Sequence, residues 1–152
     1  MTTAQGIPQA GQRLTADTAR ALFDAMDASA DPDFSLIEQF YREDVRFRDP
    51  IQSLQGREEF IEMSRRLVER CQELRATVHH AAESDEVIFL QWTMEMKLGP
   101  MPLTAIEGTT KLVLDADGRV AEHRDYFDLW GDSLSAMPLI GAGYTSFMRL
   151  LG

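Results

Sequence analysis

Apolar side chains follow two rhythms along this chain, one before about residue 73 and another after it. In the first part they recur at helical spacing. Ala19, Leu22, Phe23 and Met26 fall on one side of a helix that Thr15 can cap and that should stop around Ser29 to Pro32. Asp31-Pro32 then restarts the chain, with proline at a first helical position behind an aspartate cap. Phe34, Ile37 and Tyr41 make the apolar side of the short helix that follows. Between Asp44 and Pro50 the pattern alternates strictly, setting Val45, Phe47 and Asp49 on one face of an extended segment and Arg46 and Arg48 on the other. Gly56 to Glu73 reads as the longest helix. Glu58 and Glu59 suit its first turn, and Phe60, Ser64, Leu67 and Cys71 line its apolar side.

Beyond that helix the period shortens to that of strands, with segments near 75 to 83, 86 to 98, 103 to 115 and 119 to 128 separated by turns, which predicts an antiparallel meander. From Gly131 to Gly152 the apolar residues Leu134, Met137, Leu139, Ile140, Phe147, Met148, Leu150 and Leu151 are interrupted by Pro138, Gly141 and Gly143, which predicts two short terminal helices. Helices first and a curled sheet afterwards imply an α+β domain in which helices cover one sheet face and a pocket lies on the concave side. The expected organisation is a loose leader over 1–13, the domain over 14–130 and a helical extension over 131–152 that serves as a lid on the cone or packs across a dimer.

Composition narrows the partners. At 152 residues with 44% hydrophobic content the chain suits one domain with a real core. Twenty-five acidic against fifteen basic residues leave a formal charge of -10, which repels nucleic acid and anionic membrane surfaces. Cys71 is the single cysteine, and the first residues lack the basic and apolar regions of a signal peptide, so a cytoplasmic location is expected. His79-His80 are adjacent on a strand and have no third ligand at useful spacing, so no metal is expected.

The run His123-Arg124-Asp125-Tyr126-Phe127-Asp128 carries the most chemistry, because aspartate is depleted in strands and this run follows the hairpin signal Asp115-Ala116-Asp117-Gly118. Alternation puts His123, Asp125 and Phe127 on one face and Arg124, Tyr126 and Asp128 on the other. Each parity carries one aromatic residue. Periodicity therefore leaves two readings open: His123 and Asp125 in a pocket, or both turned outward with Tyr126 inside.

The order of elements, together with Phe40-Tyr41-Arg42-Glu43-Asp44-Val45-Arg46-Phe47-Arg48-Asp49-Pro50 and Gly56-Arg57-Glu58, resembles the NTF2-like superfamily, nearest its SnoaL-like and ketosteroid isomerase-like branches. The resemblance implies a cone-shaped barrel in which a curved antiparallel or mixed sheet wraps around N-terminal helices. In ketosteroid isomerases the aspartate of the Asp-Pro pair is the general base, which implies that role for Asp49, whereas the two oxyanion donors of that reaction are replaced by Leu22 and Thr110. The final strand also resembles that of limonene epoxide hydrolase, with Asp125 matching one of its aspartates. Its Arg-x-Asp, however, falls on Trp92-Thr93-Met94, and its Tyr-x-Asn on Phe47-Arg48-Asp49. SnoaL-type polyketide cyclases place an acidic group near Thr109 and Thr110, where Glu107 is the nearest acid.

On this resemblance Asp49, Asp125 and His123 are the candidate catalytic residues, and Leu22, Phe47, Trp92, Met94, Thr110 and Phe127 the candidate ligand-binding wall. Desolvation and a like-charged neighbour raise a carboxyl pKa, so two aspartates in an apolar pocket suit proton transfer on a small apolar molecule without any cofactor. Asp49 before Pro50 is also an ordinary turn former. The alternatives from other classes are a hydrophobic-ligand or dimeric accessory domain, and water activation of the epoxide hydrolase kind.

Overall fold

The computed structural model describes residues 11–25, 32–134 and 138–151. Helix α1 (Ala16–Asp24) is capped by Thr15, whose hydroxyl accepts from the Thr18 amide at 3.3 Å, and it ends at Ala25. Residues 26–31, which hold most of the Ser29 to Pro32 stretch where its stop was expected, lie outside the described residues, as does most of the expected leader. Helix α2 (Ser35–Phe40) starts later than the proline signal suggests, because the Asp33 carboxylate takes the Ser35 amide at 2.9 Å. Tyr41, expected on its apolar side, instead begins strand β1 (Tyr41–Arg48).

β1 alternates from Val45 on, with Val45 and Phe47 buried and Arg46 and Arg48 exposed. Asp49 has left the strand, so alternation no longer says which way it points. After the short β2 (Ser53–Gln55), helix α3 (Arg57–Arg70) buries Phe60, Ile61 and Ser64. Its guanidinium at Arg57 donates to the Glu38 and Tyr41 carbonyls at 3.0 and 3.1 Å, tying the start of α3 to the junction of α2 and β1. The helix ends three residues before the expected Glu73, and Cys71 is buried as the first residue of β3 (Cys71–Ser84) rather than on the helix.

The remaining strands are β4 (Val87–Leu98), β5 (Thr104–Leu114) and β6 (Val120–Phe127), and the sheet order is β2-β1-β6-β5-β4-β3. β3 to β6 form the antiparallel meander, while β1 joins β6 in parallel, giving a mixed, curved and unclosed α+β sheet. Between Tyr41 and Arg46 the register jumps, β1 advancing from 41 to 46 while β6 advances from 120 to 122. A second irregularity between Val78 and His80 leaves both His79 and His80 exposed, so the two do not simply point to opposite faces.

Two glycines set local geometry. Gly118 takes φ +76° in the β5–β6 turn, where Asp115 accepts from the amides of Asp117 and Arg119, and a side chain there would overlap Arg13. Gly108 on β5 lies under Trp92, and a Cβ there would overlap the indole. α1, α2 and α3 supply Ala19, Leu22, Phe23, Ile37, Phe40 and Phe60 to one core with the inner face of the sheet.

After β6 comes a π-helical turn over Leu129–Leu134 and then a single helix α4 (Pro138–Leu151). Helical structure thus lies on both sides of residues 135–137, and α4 runs through Gly141 and Gly143, where a break was expected. Its side chains from Thr145 to Leu151 are exposed, Leu150 at 84%. Among the described residues no helix is long and apolar enough to cross a membrane.

Candidate active site

β6 turns His123, Asp125 and Phe127 to the helices and Arg124 and Tyr126 to the outer surface. His123 is 3% exposed and Tyr126 48%. The imidazole is enclosed by aromatic rings, 5.1 Å from both Phe47 and Phe60 and 5.9 Å from Tyr41, and Tyr41 stacks on Phe60 at 5.3 Å. A buried imidazole needs a partner on each nitrogen. His123 has both: Nδ1 is 2.8 Å from the Tyr41 phenol and Nε2 is 2.9 Å from Asp125 Oδ1.

The chain of bonds continues across β5 to β4. The Thr110 hydroxyl is 2.5 Å from Asp125 Oδ1, and Trp92 Nε1 is 2.9 Å from the Thr110 oxygen. Thr110 and Asp125 stand opposite each other on β5 and β6, so pleating puts their side chains on one face.

The directions at the β4–β5 end follow from the indole, which can only donate. Trp92 donates to Thr110, whose own proton then goes to Asp125. At the far end, burial and the negative charge of Asp125 push the Tyr41 phenol above the ordinary tyrosine range, so it keeps its proton and donates it to Nδ1. With Nδ1 accepting from Tyr41, Nε2 is the nitrogen of His123 that donates to Asp125. Asp125 Oδ1 thus receives two protons' worth of hydrogen bonding, while Oδ2 has no protein partner among the described residues. The Asp125 side chain is 18% exposed against 4% for His123, so the carboxylate is the member of this pair that meets solvent.

The apolar residues around the network are Leu22, Phe47 and Trp92, all buried, with Met94 and Phe127 half-buried against the same core. Trp92 lies 6.1 Å from Phe23 and 6.3 Å from Phe127, ring to ring. Of these, Phe47 touches the network at His123 and Trp92 at Thr110, and Leu22, Met94 and Phe127 belong to the core beside them.

Asp49 sits apart from the network. Its Oδ1 accepts from the amides of Ile51 and Gln52, both at 2.7 Å, and its own amide donates to the Gln52 carbonyl at 3.0 Å. This is the arrangement of an aspartate holding a turn. Among the described residues Asp49 makes no hydrogen bond or ion pair with His123 or Asp125. His79 bonds to Thr93 at 2.8 Å, and among the described residues no three His, Cys, Asp or Glu side chains group as a metal site.

Tyr41 is the member that periodicity missed. Helical spacing sets it on the apolar side of α2, where an aromatic residue needs no further explanation. The signal available was its phenol, which on a wholly apolar face must find a polar partner.

A family model for the SnoaL-like domain matches residues 19–123, which spans α1 to His123 and contains Tyr41, Trp92 and Thr110. No curated protein sequence matches the chain. Among solved structures it is similar to a protein of Jannaschia sp. CCS1 provisionally assigned as a SnoaL-like polyketide cyclase, at 23% identity and TM-score 0.67 over 83% of this chain and 90% of that one. It is also similar to an LEH-like epoxide hydrolase of M. tuberculosis, at 17% identity and TM-score 0.66 over 88% and 94%. A third neighbour is a Catenulispora acidiphila protein with a ketosteroid isomerase-like fold, at 15% identity and TM-score 0.67 over 80% and 92%. At these identities the solved structures speak for the fold, which is NTF2-like. The matched model covers most of the chain, and the chain belongs to the SnoaL-like domain family.

Proposed function

We propose that this protein is a cofactor-independent enzyme that moves a proton on a small, largely apolar carbonyl compound, with Asp125 as the acid and base. The observation that carries the reading is the asymmetry of its carboxylate. Oδ1 is held by Thr110 and His123 inside the network, and Oδ2 is left toward solvent on an apolar wall. Oδ2 would take a proton from the carbon beside a carbonyl, giving the carboxylic acid and an enolate; it would return that proton to another carbon in an isomerisation, to the alkoxide formed when the enolate carbon attacks a second carbonyl in a cyclisation, or to a β-hydroxyl that departs as water in a dehydration. His123 is a positioning residue here, because its two nitrogens are spent on Tyr41 and Asp125. Asp49 takes the turn role in this reading.

A second reading, a pocket that binds an apolar ligand without turnover, is favoured by a specific feature. The protons of Tyr41, Thr110 and Trp92 are all committed within the network, so none is left for a developing oxyanion, and losing such a donor costs orders of magnitude in rate. Water activation on an epoxide has less support, since the positions that would carry its Arg-x-Asp are Trp92 and Met94.

Solvent deuterium exchange decides between the first two without knowing the net reaction. Apolar linear and cyclic ketones are incubated with the protein in heavy water and followed by NMR, with saturation transfer used to identify those that bind. Exchange beside the carbonyl in the wild type that is lost in Asp125→Asn supports the enzyme. Ketones that bind and never exchange leave the binding reading.

A further inference from the structure

The outer face of the sheet carries a row of cations that the proton-transfer reading does not use. Arg48 on β1 stands in register with Arg124 on β6, and Arg124 stands in register with Lys111 on β5. Neighbouring strands are about 4.8 Å apart, so three like charges lie side by side, an arrangement that repels in the absence of a counter-charge. The next rung shows what a balanced row looks like: Arg46 pairs with Glu122 on the same two strands at 3.0 Å.

None of Arg48, Arg124 and Lys111 makes an ion pair or side-chain hydrogen bond among the described residues, although acidic residues outnumber basic ones 25 to 15 in this chain. Arg124 is placed most tellingly. Its guanidinium lies 5.0 Å from the centre of the Tyr126 ring, and its Nε is buried with no acceptor. A buried donor without a partner costs free energy that an acceptor would recover. Beside the row is a trough of about 400 Å³, lined by Arg46, Arg48, Glu122 and Arg124 with Phe47 and Leu54.

We infer that this trough is a binding site for a small oxyanion, a carboxylate or phosphate group on a small molecule, held in a fork by Arg124 and countered by Arg48, with Lys111 next to Arg124 in the row. Arginine suits the role because the planar fork of its two terminal nitrogens matches carboxylate and phosphate geometry. The trough is on the opposite side of the sheet from Asp125, so the site stands whether or not the proton-transfer reading does.

Inorganic phosphate is the first probe and succinate the second, each titrated into the full chain in low-salt buffer by calorimetry and thermal unfolding. Wild type is expected to bind one equivalent. Its unfolding midpoint should rise by about 5 °C or more once phosphate exceeds its dissociation constant roughly a hundredfold. Arg124→Gln and Arg48→Gln should each lose that shift, while Arg70→Gln, a cation of α3 outside the row, keeps it. Without phosphate, Arg124→Gln should unfold no earlier than wild type, because it removes the middle of a repulsive row. Arg124→Lys keeps the charge and loses the fork, so it should bind about tenfold more weakly; it serves as the test if the glutamine variant does not fold. A shift that survives in Arg124→Gln, or falls equally in Arg70→Gln, is a general salt effect and overturns the site. So does a wild type that phosphate and succinate leave unchanged, including the case where Arg124→Gln turns a dimer into a monomer by light scattering, which would assign the row to acidic side chains of a second copy.

Discussion

The phenol of Tyr41 and Nδ1 of His123 are 2.8 Å apart, a bond between residues 82 positions apart that joins the start of the first long strand to the last. It occupies Nδ1 and leaves Nε2 for Asp125 Oδ1, the oxygen that Thr110 also holds.

Removing that phenol is expected to act in two ways. Tyr41→Phe keeps the stack on Phe60 and leaves Nδ1 without a donor, which should cost about 1–2 kcal/mol of stability by urea unfolding. It should also change the alkaline limb. The Tyr41 pKa is raised in the folded state, so the stability this group contributes is whole below the ordinary tyrosine value of about 10 and is lost as pH rises beyond it. The difference between wild type and Tyr41→Phe should therefore shrink above about pH 10. A constant difference across that range would mean the phenol does not stay protonated.

Asp125→Asn is expected to lower the rate of any exchange the protein catalyses by about 10²–10⁴-fold. The informative partner is Asp49→Asn. Asparagine still offers Oδ1 to the amides of Ile51 and Gln52, so the turn survives and exchange should continue at near wild-type rate. If Asp49→Asn abolishes exchange while thermal unfolding is unchanged, Asp49 is the base and Asp125 is not.

Thr110→Val keeps the shape of the side chain and removes the link between Trp92 and Asp125. Leaving the indole proton without an acceptor should cost about 1–3 kcal/mol. Because both lose the same bond, Thr110→Val and Trp92→Phe should combine to less than the sum of their separate costs in a double-mutant cycle. Strict additivity would mean that the bond contributes nothing.

Gly108→Ala tests the packing beneath the site. The new methyl would overlap the Trp92 ring, so a loss of about 3 kcal/mol and a shifted near-ultraviolet circular dichroism are expected. A variant as stable as wild type would mean that the indole can move aside.

Much of the outline was legible because local chemistry enforces it. Thr15 caps α1, Val45 and Phe47 alternate against Arg46 and Arg48, and the Asp115 to Gly118 turn sends the chain back into β6. What misled was whatever a strand or helix end decides. Tyr41 and Cys71 satisfy a helical spacing equally well as a strand start, and Asp49 keeps its alternating place only if the strand continues. The Asx turn to Ile51 and Gln52 ends it first.

By itself the sequence determined the α+β order of helices and meander and the parity that groups His123, Asp125 and Phe127, since both depend on periods of two and 3.6 residues. Only the tertiary structure decided which parity faces the helices, because each offered one aromatic residue and burial of the whole face made the choice. It also decided the partners. Tyr41, His123, Asp125, Thr110 and Trp92 come from four strands, and β1 meets β6 by a parallel pairing between distant parts of the chain. Strand neighbours of that kind bring side chains together through the sheet, and no local spacing records which ones will meet.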